Sequence, residues 1–261
     1  MIEINDVSYS YLGIRALSHI SIKIEAGEAV AIMGPNGSGK STLLKLINGL
    51  IFADTGCYRF QGQEITENQL QDPIFAKKFH QKIGFVFQNS DTQLFCADVY
   101  DEIAFGPRQM GLSESEIGKR LNDLLELMQL DAFHHRSPYH LSGGEKRKVA
   151  IACVLSMNPE VLVLDEPINE LDPRTQRWLV DFLIRLNKSG KTLITSTHNL
   201  ELVPEISTRS ILFDENHGIL ADMQTQKMLL NTDLLIKANL VDEYYHIHDG
   251  EDHVHFHDHI F

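Results

Sequence analysis

The sequence predicts an α/β fold: a mostly parallel sheet with an α-helical segment inserted into it. Three observations predict this. Two short, wholly apolar runs, 29–33 (AVAIM) and 161–164 (VLVL), read as strands buried on both faces. Polar, turn-forming residues follow each run, and a helical pattern comes after them. From about 98 to 158 the apolar period becomes that of helices, which reads as an insertion between two sheet strands.

The elements follow in order. Residues 2–9 (IEINDVSY) and 20–24 (ISIKI) alternate like half-buried strands. The buried run 29–33 leads directly into a Gly-rich loop, then a helix that ends near Gly49. Residues 83–87 (IGFVF) read as another buried strand. Three helical stretches follow: 98–105, 113–130 and 143–157. Ser113 with Glu116 has the spacing of a capping box. The run 161–164 is a strand, 174–190 an amphipathic helix stopped by Gly190, and 192–198 (TLITSTH) a strand again. Residues 222–241 read as helical, and no internal repeat is visible. The expected organisation is a core over 1–222 with its helical part at about 90–160. A helical extension over 223–245 and a His-rich acidic tail over 246–261 complete it.

Composition narrows the function classes. The net charge of −13 does not favour a broad basic surface for nucleic acid. No apolar run approaches the roughly 18 residues that cross a bilayer. The N-terminus lacks the basic and apolar regions of a secretory signal, so a cytosolic location is expected. Cys57, Cys96 and Cys153 are scattered and form no CxxC, which reads as reduced, packed thiols.

Two motifs carry chemistry. Gly34, Pro35, Asn36, Gly37, Ser38, Gly39, Lys40, Ser41 and Thr42 fit the phosphate-loop pattern GxxxxGK[ST] between a strand and a helix. Glycines let several N–H groups turn inward, and the helix adds the positive end of its dipole. Lys40 is expected to reach the β- and γ-phosphates of a nucleoside triphosphate, and Ser41 to ligate Mg²⁺. Asp165 and Glu166 stand at the carboxyl end of a buried strand, where ligands gather in parallel sheets. Asp165 suits Mg²⁺ through its waters, and Glu166 suits a proton acceptor for an attacking water. Leu141-Ser142-Gly143-Gly144-Glu145 opens a helix and reads as a second anion-binding N-terminus. One nucleotide does not need two such cradles from one chain; a dimer does.

In order along residues 1–222, this set resembles the ATP-binding cassette (ABC) ATPases: Tyr11, the phosphate loop, Gln88, LSGGE, VLVLDE, Leu171-Asp172 and His198. The resemblance implies a P-loop NTPase cassette with an antiparallel β edge and an ATPase reaction with Mg²⁺. It implies that Tyr11 stacks on adenine, with Tyr9 a competing choice. It further implies that Gln88 touches Mg²⁺ and the attacking water, that Asp172 lies at a dimer seam, and that His198 contacts the γ-phosphate. Ser142, Gly143 and Gly144 would meet the nucleotide of a partner chain, a homodimer being expected from the complete set in one sequence.

The stretches GFVFQNSDTQLFCADVYDEIAFGPRQMGLSESEI and LSGGEKRKVAIACVLSMNPEVLVLDEP resemble the energy-coupling-factor group of importers. That resemblance implies a transmembrane coupling subunit docking after Gln88, a separate substrate-specific membrane subunit, and a peripheral place on the cytoplasmic face of the membrane. The tail carries His246, His248, His253, His255, His257 and His259 among acidic residues, a donor set suited to Ni²⁺ or Co²⁺. Cobalt and nickel members of the group are similar in carrying such tails. The expected function is therefore the ATPase of a cobalt or nickel importer. Vitamin uptake through the same architecture, a soluble non-transport ABC ATPase, and a tail with no role or only adventitious metal binding are the alternatives. The D-loop is unusual: Ile168-Asn169-Glu170 stands where small residues are common. Glu145 stands where Gln is commoner in the wider family, and Asn199 where Asp is frequent.

Overall fold

A computed structural model describes residues 1–241 of the 261-residue chain. The elements run β1 (Ile2–Tyr11), β2 (Ile14–Ile24), β3 (Ala29–Met33), α1 (Lys40–Ile47), β4 (Thr55–Phe60), β5 (Gln63–Glu64), α2 (Glu67–Leu70), α3 (Pro73–Lys82) and β6 (Ile83–Val86). They continue α4 (Val99–Gln109), α5 (Glu114–Met128), α6 (Gly143–Leu155), β7 (Val161–Asp165), α7 (Pro173–Lys188), β8 (Thr192–Ser196), α8 (Val203–Ile206), β9 (Arg209–Phe213), β10 (Ile219–Gln224), α9 (Thr225–Leu229) and α10 (Thr232–Lys237). The described residues form two compact units, one of 1–66 with 194–241, the other Glu67–Leu193.

In the first unit, β2, β1, β4 and β5 make an antiparallel sheet in that order. Ile2 pairs with Ile24 and Ile4 with Ile22, and all four are buried. The alternating pattern thus puts one face inward, as period-2 side chains require. All five side chains of β3 are buried, and β3 runs parallel to β9, with Val30 opposite Arg209 and Met33 opposite Leu212. Thr197 N donates to Ile32 O (3.1 Å), so the chain past β8 also returns to β3. β10 is antiparallel to β9.

In the second unit, β6 pairs parallel with β7, Ile83 opposite Val161 and Val86 opposite Leu164. The helices α4, α5 and α6 lie between these strands in sequence, where the insertion is expected. The Ser113–Glu116 capping box is present in full. Its buried stripe is Ile117, Leu121, Leu124, Leu125 and Met128, the spacing of one helix face.

The C-terminal stretch differs from its sequence reading. Residues 222–224, read as helical, close strand β10, and the rest forms two short helices rather than one. β10 is only partly buried and of mixed polarity, so its period-2 signal is weak. A cross-strand ion pair holds it: Arg209 Nε and Nη2 donate to Asp222 (both 2.7 Å). The two helices are no loose appendage. Met228, Leu235 and Ala238 are buried in one cluster with Ala31, Met33, Leu200, Val203 and Leu212. The extension's last residues, 242–245, and the tail at 246–261 lie outside the described residues.

Leu235 is 1% exposed at the centre of that contact. Leu235→Ala is expected to cost about 2–5 kcal/mol of unfolding free energy in urea titrations. An unchanged midpoint would show that the C-terminal helices do not stabilise the core.

Candidate functional site

In the first unit the phosphate loop joins β3 to α1. Gly39 holds the N-cap position of α1 at φ 108°. A Cβ there would sit 2.3 Å from the Ala16 carbonyl oxygen, so only glycine fits. Lys40 is buried, and its Nζ donates to the carbonyls of Gly34 (2.8 Å) and Pro35 (2.9 Å). The loop is therefore curled around its own ammonium. No side chain caps α1, and its first turn holds no acidic residue. Ser38 is 2% exposed, and its Oγ has no hydrogen-bond partner among the described residues. An orphaned buried hydroxyl is costly unless something accepts from it. Together with the ammonium and the helix N-terminus it fits an anionic polyphosphate. Asn36 and Gly37 form the exposed tip, Ser41 is half-buried and Thr42 buried.

The same unit carries Tyr11 and His198. Tyr11 ends β1 with its ring 40% exposed and edge-on to Tyr9 at 4.8 Å. Tyr9 is the more enclosed ring, its phenol pushed up chiefly by burial; Tyr11 is the one open to stacking. His198 is half-buried just beyond β8. The next residue, Asn199, turns the chain: its Oδ1 accepts from Glu201 N (3.1 Å) and Leu202 N (3.3 Å).

In the second unit β7 is buried throughout and ends in Asp165, with Glu166 next in the chain, each 5% exposed. Glu166 has φ 44°, in the left-handed region that non-glycine residues seldom occupy. Gln88 is exposed beyond β6. Ser142 caps α6 in a complete capping box with Glu145. The Glu145 carboxylate accepts from Ser142 N (2.7 Å) and Oγ (2.8 Å). Within one chain, then, this N-terminus already has an anion of its own. A Cβ at Gly144 would meet Thr175 Oγ1 at 3.1 Å, and Thr175 also donates to Asp172, the N-cap of α7. Those bonds hold the exposed Asp172 carboxyl below its ordinary range. Phe95 and Phe105, 61% and 43% exposed, stack edge to face at 5.0 Å after the Gln88 turn. Buried Glu102 fixes that turn by accepting from Phe95 N (2.8 Å) and Cys96 N (2.6 Å).

The ABC transporter family model matches residues 17–169. The nickel import ATP-binding protein LarO of Lactiplantibacillus plantarum is 44% identical over 223 residues, 85% of this chain and 92% of its own. The energy-coupling factor transporter ATP-binding protein EcfA of Methanothermobacter thermautotrophicus is 39% identical over 92% of this chain and 76% of its own. This chain belongs to the ABC transporter family. Among solved structures, cbiO1 from Clostridium perfringens, described as part of the ABC transporter complex cbiONQ, superposes with TM-score 0.78 at 33% identity, covering 92% of this chain and 94% of that one.

The chain is thus an ABC ATPase of the energy-coupling-factor type, similar to cobalt and nickel import ATPases. Among the described residues no helix is long and apolar enough to cross a membrane. Two residues of this ABC ATPase escape sequence reasoning. Arg147 sits in a run of three cations, yet it is 5% exposed. Its Nη1 donates to Phe87 O (2.6 Å) and its Nη2 to Gln88 O. Gln93 Oε1 accepts from Phe87 N (3.2 Å). No local pattern signals either bond.

Gly39→Ala combines a left-handed backbone with a clash against Ala16. The strain, about 1–3 kcal/mol, should weaken binding of a fluorescent ATP analogue by about tenfold or more. Wild-type affinity in that titration would show that the loop tolerates a Cβ.

Proposed function

We propose that this ABC ATPase energises a membrane importer of a divalent transition metal, cobalt or nickel. Two copies of the chain would close around two ATP molecules and reopen on hydrolysis. The observation that carries ATP use is the phosphate loop, with its buried ammonium, orphaned Ser38 hydroxyl and acid-free helix start. The metal reading is supported by the likeness to a protein named for nickel import and by the six histidines of the tail.

The proposed division of labour follows from chemistry. The phosphate loop and Lys40 bind the β- and γ-phosphates, and Tyr11 stacks on adenine. Mg²⁺, when bound, neutralises phosphate charge; Ser41, Gln88 and Asp165 are the residues proposed to hold it, directly or through water. Glu166 accepts the proton of the attacking water, and His198 stabilises charge on the γ-phosphate. Ser142, Gly143, Gly144 and Asp172 serve the nucleotide held by the second copy. The helix α6 start is preformed for this, with Glu145 fixing Ser142.

The exposed Phe95–Phe105 pair is the surface proposed to receive a transmembrane coupling subunit. A separate membrane subunit would select the substrate, and the ATPase would sit on the cytoplasmic face of the membrane. A second reading, vitamin uptake through the same architecture, gives the tail no role; the likeness to EcfA supports the shared architecture rather than one cargo.

Glu166→Gln should bind ATP normally while turnover falls by about 10²–10⁴-fold; unchanged hydrolysis would remove Glu166 from the role of base. The cargo is tested by uptake of labelled Ni²⁺, Co²⁺ and vitamins in cells carrying the whole transporter, with the full chain or one cut after Asp242. Metal uptake supports the proposal, and vitamin uptake without metal uptake overturns the cargo.

A further inference from the structure

The turn that carries Gln88 is strapped to helix α6 at three points, all within the second unit. Arg147 donates to the carbonyls of Phe87 and Gln88. Gln93 accepts from Phe87 N with its Oε1, and its Nε2 donates to Ala150 O on α6 (3.4 Å). Lys146 Nζ donates to Asp91 (2.7 Å), with the lysine largely enclosed. Lys146, Arg147 and Ala150 lie within five consecutive residues of the helix that Ser142 opens.

We propose that Arg147 and Gln93 are positioning residues for ATP hydrolysis, locking the Gln88 turn to α6 so that the two move as one piece. This rests on the ATPase reading above. A guanidinium at this depth is an expensive way to fill space. Only two carbonyls accept from it, and its Nε has no hydrogen-bond partner among the described residues. Burial pulls its pKa below the ordinary value, against the favourable charges of Glu170 and Asp165. A side chain kept only for packing would be apolar. What the arginine adds is geometry: its planar fork fixes two successive carbonyls at once, and so fixes the direction in which Gln88 leaves the backbone.

The unusual D-loop has a place in this scheme. Glu170 adds negative charge in the field of Arg147, in a loop where small neutral residues are common.

The contrast with Gln88 itself sharpens the role. Neither Arg147 nor Gln93 is proposed to touch nucleotide. Their loss should leave ATP binding intact and disturb the group that must align for the chemical step. That pattern, a fall in kcat at constant KM, is the signature of an interaction that matters in the transition state. A merely structural role would lower overall stability instead.

The test uses the full chain with Arg147→Gln, Arg147→Lys, Gln93→Leu and the Arg147→Gln/Gln93→Leu double variant. Hydrogen exchange of the 87–94 amides and steady-state kinetics with MgATP are the two readouts. Arg147→Gln is expected to speed exchange in 87–94 about tenfold, leave α5 unchanged, and lower kcat about tenfold with KM held within about twofold. Arg147→Lys should recover part of both effects. Gln93→Leu should act in the same direction, and the double variant should fall short of the product of the singles, because both act through one turn. Should Arg147→Gln fail to fold by circular dichroism, Gln93→Leu decides alone. Unchanged exchange, unchanged kcat, or a rise in KM alone overturns the strap. Failure of the ATPase reading is separable: it would appear as no MgATP turnover by the unaltered chain, while exchange in 87–94 still responded to Arg147→Gln.

Discussion

A five-residue strand with every side chain buried has one place for polar chemistry, and that is its end. Both β3 and β7 are such strands. Each pairs with a parallel neighbour, β9 for the first and β6 for the second. The polar residues of the phosphate loop therefore begin at the carboxyl end of β3, and Asp165 closes β7, with Glu166 immediately beyond it. The chemistry is concentrated where the sheet stops, because it has been excluded from everywhere else.

Helix N-termini supply the second constraint, and the chain treats them unequally. α4 is capped by Asp98, α5 by Ser113 with Glu116, α6 by Ser142 with Glu145 and α7 by Asp172. Each has a carboxylate placed where the dipole favours negative charge. α1 has none: glycine stands at its cap, and its first turn carries no acid. An acid there would repel a polyphosphate and occupy its hydrogen-bond donors. At α6 the Glu145 carboxylate orients Ser142, so that start would meet an anion through a positioned side chain, whereas α1 leaves its bare N–H groups for one.

The parts of the molecule legible in the sequence are those whose causes are local. The run AVAIM, the GPNGSGKST loop and the Ser113–Glu116 box each declare themselves through neighbours within a few residues. Strand β10 was misread because an edge strand of mixed polarity has little periodicity to show. The run Lys146-Arg147-Lys148 shows nothing of its roles in sequence, because three adjacent cations look alike until their surroundings are known. In the fold they diverge: Lys146 pairs with Asp91, Arg147 is buried on two carbonyls, and Lys148 lies 4.3 Å over the Trp178 ring. Those partners lie far away in sequence, and no spacing rule encodes them.

The departures from the common family pattern are also explained by partners rather than by composition. Glu145 in place of glutamine keeps an oxygen acceptor for Ser142, and its charge lies at a helix start that favours it. Asn199 in place of aspartate keeps an acceptor oxygen for two backbone N–H groups, which is all that the turn after His198 asks of it. Both replacements preserve a hydrogen-bond acceptor and alter only its charge. Glu170 is of another kind, since it adds a charge where the family usually has none. Its charge is favourable to the buried Arg147 guanidinium, a cation that the local sequence does not advertise.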